Sequence, residues 1–206
     1  MPITIFSLIV LLFSVMIHEI AHGSVALSLG DLTAKYAGRL TLNPLKHLDL
    51  MGSVLIPLML LVLTMGQGPI FGWAKPVPVN PALFKDKKWG ELKVSLAGPA
   101  VNFLIATIFG LVLRFIDLPE TLAVLFRIIC IYNFLWGIFN LVPIPPLDGS
   151  HILFSFLPAK YLRFKYQFAQ YGFVILIAFL FLGGLDIVYS LALWLFGAVT
   201  GNSLVF

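Results

Sequence analysis

Apolar runs long enough to cross a lipid bilayer recur along this sequence, at residues 3–29, 94–116, 121–141 and 168–185, with shorter ones at 50–66 and 187–199. Crossing about 30 Å of hydrocarbon takes roughly 20 residues of helix, because away from water every backbone N–H and C=O must be satisfied within the segment. Of the 206 residues, 60% are hydrophobic and only 11% are charged, against about 25% charged in an average soluble domain. The longest relatively polar stretch, residues 67–93, falls below the roughly 50 residues that a separate soluble domain needs. The expected architecture is therefore an all-α membrane protein: one domain over residues 1–206, a polytopic bundle of about five to six membrane segments.

The connectors carry weaker signals. Residues 31–49 place Tyr36, Leu40 and Leu42 around Gly38 and Thr41, a pattern that predicts a small strand or hairpin. Pro69, Pro76, Pro78 and Pro81 forbid a continuous helix over 67–81 and favour an extended path. A membrane-associated β or extended region is thus expected between the first helix and the run at 94–116. The stretch 84–93, FKDKKWGELK, places Trp89 among lysines, as suits lipid headgroups.

The first run has no basic flank before it and contains charged residues, so it reads as part of the mature fold rather than as a removable signal. The formal net charge of +4 is explained by basic residues flanking membrane spans, and no nucleic-acid signal is present. Cys130, the only cysteine, excludes an internal disulfide.

Within the first run, residues 18–22 read HEIAH. On a helix the i, i+4 spacing puts His18 and His22 on one face, one turn apart, as bidentate metal ligation requires. Glu19 then lies beside the metal rather than on it, where it can take a proton from water and pass it to a leaving amine. The competing reading is a polar patch, but ionisable groups at membrane depth are costly without a partner.

A tetrahedral zinc with one open position needs a third protein ligand. Asp31, Asp49, Asp86, Glu91, Asp117, Glu120 and Asp186 fall in polar connectors or at span ends, where solvation accounts for them. Asp148 instead closes a stretch in which Pro143, Pro145 and Pro146 interrupt an apolar run. Unwound backbone at that depth survives only in a sheltered cavity, so Asp148 is the candidate third ligand, against a plain turn aspartate beside Gly149. His47 reads as a solvated or interfacial connector residue. His151 reads as a neighbour of the metal rather than a ligand, since ligation would close the open position.

Taken together, HEIAH (18–22), SLAGPAVNF (95–103) and NLVPIPPLDG (140–149) resemble the three motifs of the site-2 protease family of intramembrane zinc metalloproteases. FGWAKPVPVNP (71–81) resembles its compact prokaryotic branch, and the chain leaves no room for the inserted PDZ module of larger members. The resemblance implies one zinc held by His18, His22 and Asp148, with Glu19 as catalytic base. It further implies Asn102 and Asn140 as groups that hold the substrate backbone or the developing oxyanion, the alternative for each being an interhelical hydrogen bond. Implied partners are transmembrane protein substrates and the bilayer.

Down, up and down courses for the three motif-bearing helices bring the motifs to one depth, provided that residues 50–66 make no net crossing. Ten of the thirteen basic residues then share one face, which the positive-inside rule makes cytoplasmic. A multi-pass cell-membrane protein with its site in the cytoplasmic half of the bilayer is expected, with residues 50–80 forming a re-entrant excursion beside it. An ion or metal transporter using intramembrane His, Glu and Asp is the main competing function; an inert scaffold is the other, and has no use for Glu19.

Overall fold

A computed structural model describes residues 2–49, 51, 55–63, 65 and 75–201. Eight α-helices are seen among them: α1 (Pro2–Ser28), α2 (Thr33–Tyr36), α3 (Ile56–Leu63), α4 (Gly90–Phe115), α5 (Glu120–Leu141), α6 (Asp148–Phe156), α7 (Leu162–Phe179) and α8 (Leu185–Thr200). Among the described residues, four stretches are long and apolar enough to cross a membrane: α1, α4, α5 and the 39-residue stretch Leu162–Thr200 that joins α7 to α8. The chain is a multi-pass helical membrane protein.

Four is the count among the described residues, against the five to six segments expected. At 1.5 Å per residue α8 is about 24 Å long, short of the roughly 30 Å hydrocarbon layer. It continues from α7 through a break at 180–184, where Leu182 and Gly183 leave helical geometry and Gly183 takes φ +87°. The eight residues of α3 reach about 12 Å and do not span by themselves. Part of the proposed excursion, at 50, 52–54, 64 and 66–74, and the FGWA of the 71–81 motif lie outside the described residues.

No strand occurs among the described residues, so the strand or hairpin expected at 31–49 is replaced by helical turns. The cause is local side-chain capping, which offers the backbone partners that a strand pair would otherwise supply. Asp31 Oδ1 accepts from the Thr33 N–H at 2.9 Å and from the Thr33 hydroxyl, opening α2. Asn43 Oδ1 accepts from the Leu45 N–H at 3.1 Å, opening a 3-10 turn at Pro44–Lys46. Asp31 Oδ2 also accepts from the Asn80 N–H at 2.7 Å, which ties the end of α1 to the proline-rich stretch. Burial pushes the Asp31 carboxyl up, but the bonds from Asn80 and Thr33 outweigh it and hold the group below its ordinary value. His47, expected to be solvated, is buried, with its Nε2–H donating to the Thr41 carbonyl at 2.8 Å.

The bundle is organised around α4, which packs against α1 on one side and α5 on the other, while α8 closes over α4 and α5. Ala106, Cys130, Phe134, Ala192 and Phe196 form the shared core of α4, α5 and α8. Near the other end of α4, Ala26 of α1 and Val94 close on Phe84. Long apolar side chains such as Phe173, Phe181 and Trp194 face outward, as lipid contact requires and water does not favour.

Candidate metal centre

The HEIAH turn lies inside α1 at the α4 contact, with His18 and His22 buried. Their ring centroids are 4.6 Å apart and nearly perpendicular, at 83°. Each Nδ1–H is held by α4. That of His18 donates to Asn102 Oδ1 at 2.6 Å, and that of His22 donates to the Val94 carbonyl at 2.7 Å. With both Nδ1 atoms acting as donors, both Nε2 atoms carry their lone pairs toward the same point, the second-sphere arrangement that metal-binding histidines use.

Asp148 arrives at that point from the opposite side. After α5 ends, the chain runs through Pro143, Pro145 and Pro146 and re-enters helix at Asp148. A Cβ at Gly149 would collide with the Leu141 carbonyl, so only glycine lets the first turn of α6 pass this close to the end of α5. Asp148 Oδ2 lies 3.0 Å from His18 Nε2 and 3.2 Å from His22 Nε2. Among the described residues this trio is the one group whose donor atoms converge as a metal site, all within 4.8 Å of one another. Two imidazole nitrogens and one carboxylate oxygen are a donor set suited to zinc, and they leave a position open.

Gly98 makes the approach of α4 possible. A Cβ there would come within 2.5 Å of His18 Nε2 and press on His22 Nε2 as well. The Val94 carbonyl and Gly98 were both missed by reasoning from residue types, since a main-chain acceptor and an absent side chain leave no chemical signature of their own. The G-P-A-V-N stretch at 98–102 was nevertheless a signal: it sets the glycine four residues, one helical turn, before the asparagine on the same face.

Glu19 does not touch the trio's convergence point through any described bond. Its Oε2 accepts from the Val77 N–H at 2.8 Å. It lines a cleft of about 330 Å³ together with His18, His22, Asp148, Asn140, His151 and Glu91, walled by Pro76, Val77 and Val79. The neighbouring Lys75 N–H donates to the His47 carbonyl at 2.9 Å. The buried His47 loop, the 75–80 stretch and Glu19 are thus linked in series.

The asparagines part company. Asn140 lines the cleft and donates through Nδ2 to the Trp136 carbonyl at 3.0 Å. Asn102 is fully buried, and its amide serves His18, the Ser14 carbonyl at 3.2 Å and Asn133 Oδ1 at 2.9 Å. In Asn102 the oxygen and both N–H groups have protein partners on α1 and α5, the interhelical hydrogen bonding weighed as the alternative to a substrate or oxyanion contact. His151 stays off the trio and pairs instead through Nδ1 with Glu91 Oε1 at 3.0 Å, joining α6 to α4 at the cleft.

Comparison with known proteins fits this geometry. The family profile for Peptidase family M50 matches residues 118–183, which include the Asp148 turn. YwhC of Bacillus subtilis, provisionally named a zinc metalloprotease, is 41% identical over 184 residues, covering 85% of this chain and 78% of its own length. The chain belongs to peptidase family M50. Rip2 of Mycolicibacterium smegmatis, with a similar provisional name, is 32% identical over 194 residues, or 90% of this chain and 70% of its own. Zinc metalloprotease MJ0392 of Methanocaldococcus jannaschii is 36% identical over 87 residues, a match confined to 41% of this chain and 26% of that protein. No solved structure matches the chain significantly. M50 membership, the site-2 protease family, makes this an intramembrane zinc metalloprotease and leaves the transporter alternative without support.

Proposed function

We propose that this M50 protein is an endopeptidase that cuts peptide bonds within or near transmembrane segments of other membrane proteins, with His18, His22 and Asp148 holding one zinc and Glu19 as its general base. The observation that carries the reading is the convergence of His18 Nε2, His22 Nε2 and Asp148 Oδ2 at 3.0 and 3.2 Å beside a carboxylate that lines the same cleft. Zinc bound there supplies a Lewis acid for activating water and polarising a carbonyl. Glu19 takes the proton from the attacking water and returns it to the leaving amine. The Val77 N–H fixes the Glu19 carboxylate without occupying both its oxygens. Asn140 contacts substrate from α5. The main chain of 75–80 offers hydrogen-bonding groups along the cleft wall to an unwound substrate strand. Residues 1–206 act as a single membrane domain in the cell membrane, with the cleft toward the cytoplasmic face.

A helix hides its carbonyls in its own hydrogen bonds, so substrates that unwind are the ones cut. Purified enzyme in lipid nanodiscs should contain stoichiometric zinc. It should cleave a reporter span carrying Asn, Gly or Pro and spare a rigid polyleucine span. Glu19→Gln should keep the zinc and lose about 10²–10⁴-fold in turnover, while His22→Ala and Asp148→Ala should lose the metal. Retained stoichiometric zinc in both of those variants would overturn the ligand assignment, and equal cleavage of the two reporters would overturn the substrate class.

A further inference from the structure

A buried asparagine outside all three motifs, Asn133, is hydrogen-bonded to the asparagine that meets His18. Asn133 lies on α5, 2% exposed, and has no contact with the cleft wall. Its Nδ2 donates to the Ile129 carbonyl one turn back, at 2.9 Å. That bond fixes which end of the Asn133 amide is which: the nitrogen faces Ile129 and the oxygen faces Asn102. Asn102 Nδ2 then donates to Asn133 Oδ1 at 2.9 Å and to the Ser14 carbonyl at 3.2 Å, leaving Asn102 Oδ1 directed at His18 Nδ1, 2.6 Å away. A carbonyl oxygen only accepts, so His18 must carry its proton on Nδ1 and its lone pair on Nε2.

The reversed order is blocked at both ends. Turning Asn102 over would set its oxygen against the Ser14 carbonyl, and turning Asn133 to compensate would set its oxygen against the Ile129 carbonyl. Two main-chain acceptors, which cannot be inverted, thus dictate the sense of the whole chain. Without them the amide of Asn102 has two nearly isosteric orientations, and the wrong one places a proton on His18 Nε2.

We propose that Asn133 is a positioning residue for the zinc site: acting through Asn102, and together with the Ser14 carbonyl, it holds His18 in the tautomer that offers Nε2 to the metal. The inference rests on His18, His22 and Asp148 being the ligands, and it extends that reading to a helix that supplies none of them.

The test is the zinc affinity of the purified full-length protein in nanodiscs, measured by competition with a chelator, alongside the melting temperature of the zinc-free protein. Removing a group behind a ligand typically weakens metal binding about 10–100-fold, and Asn133→Leu should do so while the zinc-free protein melts as the wild type does. Asn133→Asp, protonated at this depth, keeps an acceptor for Asn102 and a donor for Ile129 and should restore wild-type affinity. Should Asn133→Leu fail to fold, Asn133→Ser replaces it, because its hydroxyl satisfies the preceding turn yet is too short to reach Asn102. Asn102→Leu combined with Asn133→Leu should be no worse than Asn102→Leu alone, since the two act in series. Wild-type zinc affinity in folded Asn133→Leu or Asn133→Ser, or strictly additive losses in the double variant, overturns the proposal. If His18→Ala binds zinc as tightly as the wild type does, the ligand reading itself fails, which separates the two failures.

Discussion

At the scale of single residues, the site is built as much by what is missing as by what is present. Gly98 occupies the place where α4 meets both imidazoles, and a methyl group there would lie within 2.5 Å of His18 Nε2. Overpacking of this kind costs about 1–3 kcal/mol, and here the strain falls on the metal-facing nitrogens. Gly98→Ala should therefore weaken zinc binding by at least about tenfold, the equivalent of about 1.4 kcal/mol. Gly110→Ala is the matched control, because its added methyl would meet Val199 and Cys130, away from the histidines. It should lower the melting temperature and leave zinc affinity unchanged. Equal zinc losses in the two variants would show that general crowding, rather than contact with the histidines, is responsible.

Among the structural elements, the 75–80 stretch does the most with the least regular structure. It is held at one end by the Asp31 carboxylate accepting from the Asn80 N–H and at the other by the Lys75 N–H donating to the His47 carbonyl, and between them Val77 holds Glu19. A hydrogen bond to a charged group contributes about 1.5–3 kcal/mol, enough to keep the base in one orientation. Val77→Pro removes the donor while retaining an extended backbone. It should cut turnover by about tenfold or more, judged against the rate effects of mispositioned groups, with zinc content intact. Val77→Ala keeps the N–H and should stay near the wild-type rate. A proline variant as active as the alanine variant would remove Val77 from the account of how Glu19 is oriented.

On the scale of the whole molecule, the arrangement of helices decides which end of the cleft meets which side of the membrane. Tyr36 and Lys87 are exposed on either side of the 50–80 stretch, while Asp117 lies between α4 and α5. If the stretch makes no net crossing, Tyr36→Cys and Lys87→Cys in a Cys130→Ser background should label from the cytoplasmic side, and Asp117→Cys from the opposite side. Labelling of positions 36 and 87 from opposite sides would require one more crossing, and the proposed orientation of the cleft would have to be abandoned. Cys130 is buried in the α4–α5–α8 core, so serine there removes the background thiol without changing the exposed surface.

The sequence by itself determined the solvent, the helical class and the chemistry. Apolar runs of spanning length, a helix-spaced HEIAH and an aspartate after a proline-broken helix are local patterns, and each follows from hydrogen bonding and side-chain periodicity within a few residues. It did not determine how α7 and α8 join, because hydropathy sees two runs where the described residues form one broken helical stretch of 39 residues. Nor did it determine the turns at 31–49, where capping by Asp31 and Asn43 prevailed over a strand-like alternation. The G-P-A-V-N stretch marked Gly98 and Asn102, but what these two, the Val94 carbonyl and Asn133 touch was decided by tertiary structure. These contacts depend on α1, α4 and α5 meeting at one depth, so that a side-chain oxygen, a main-chain carbonyl and a missing methyl group act on two histidines more than 70 residues away in the chain. Such distances are closed by packing, and no local pattern records them.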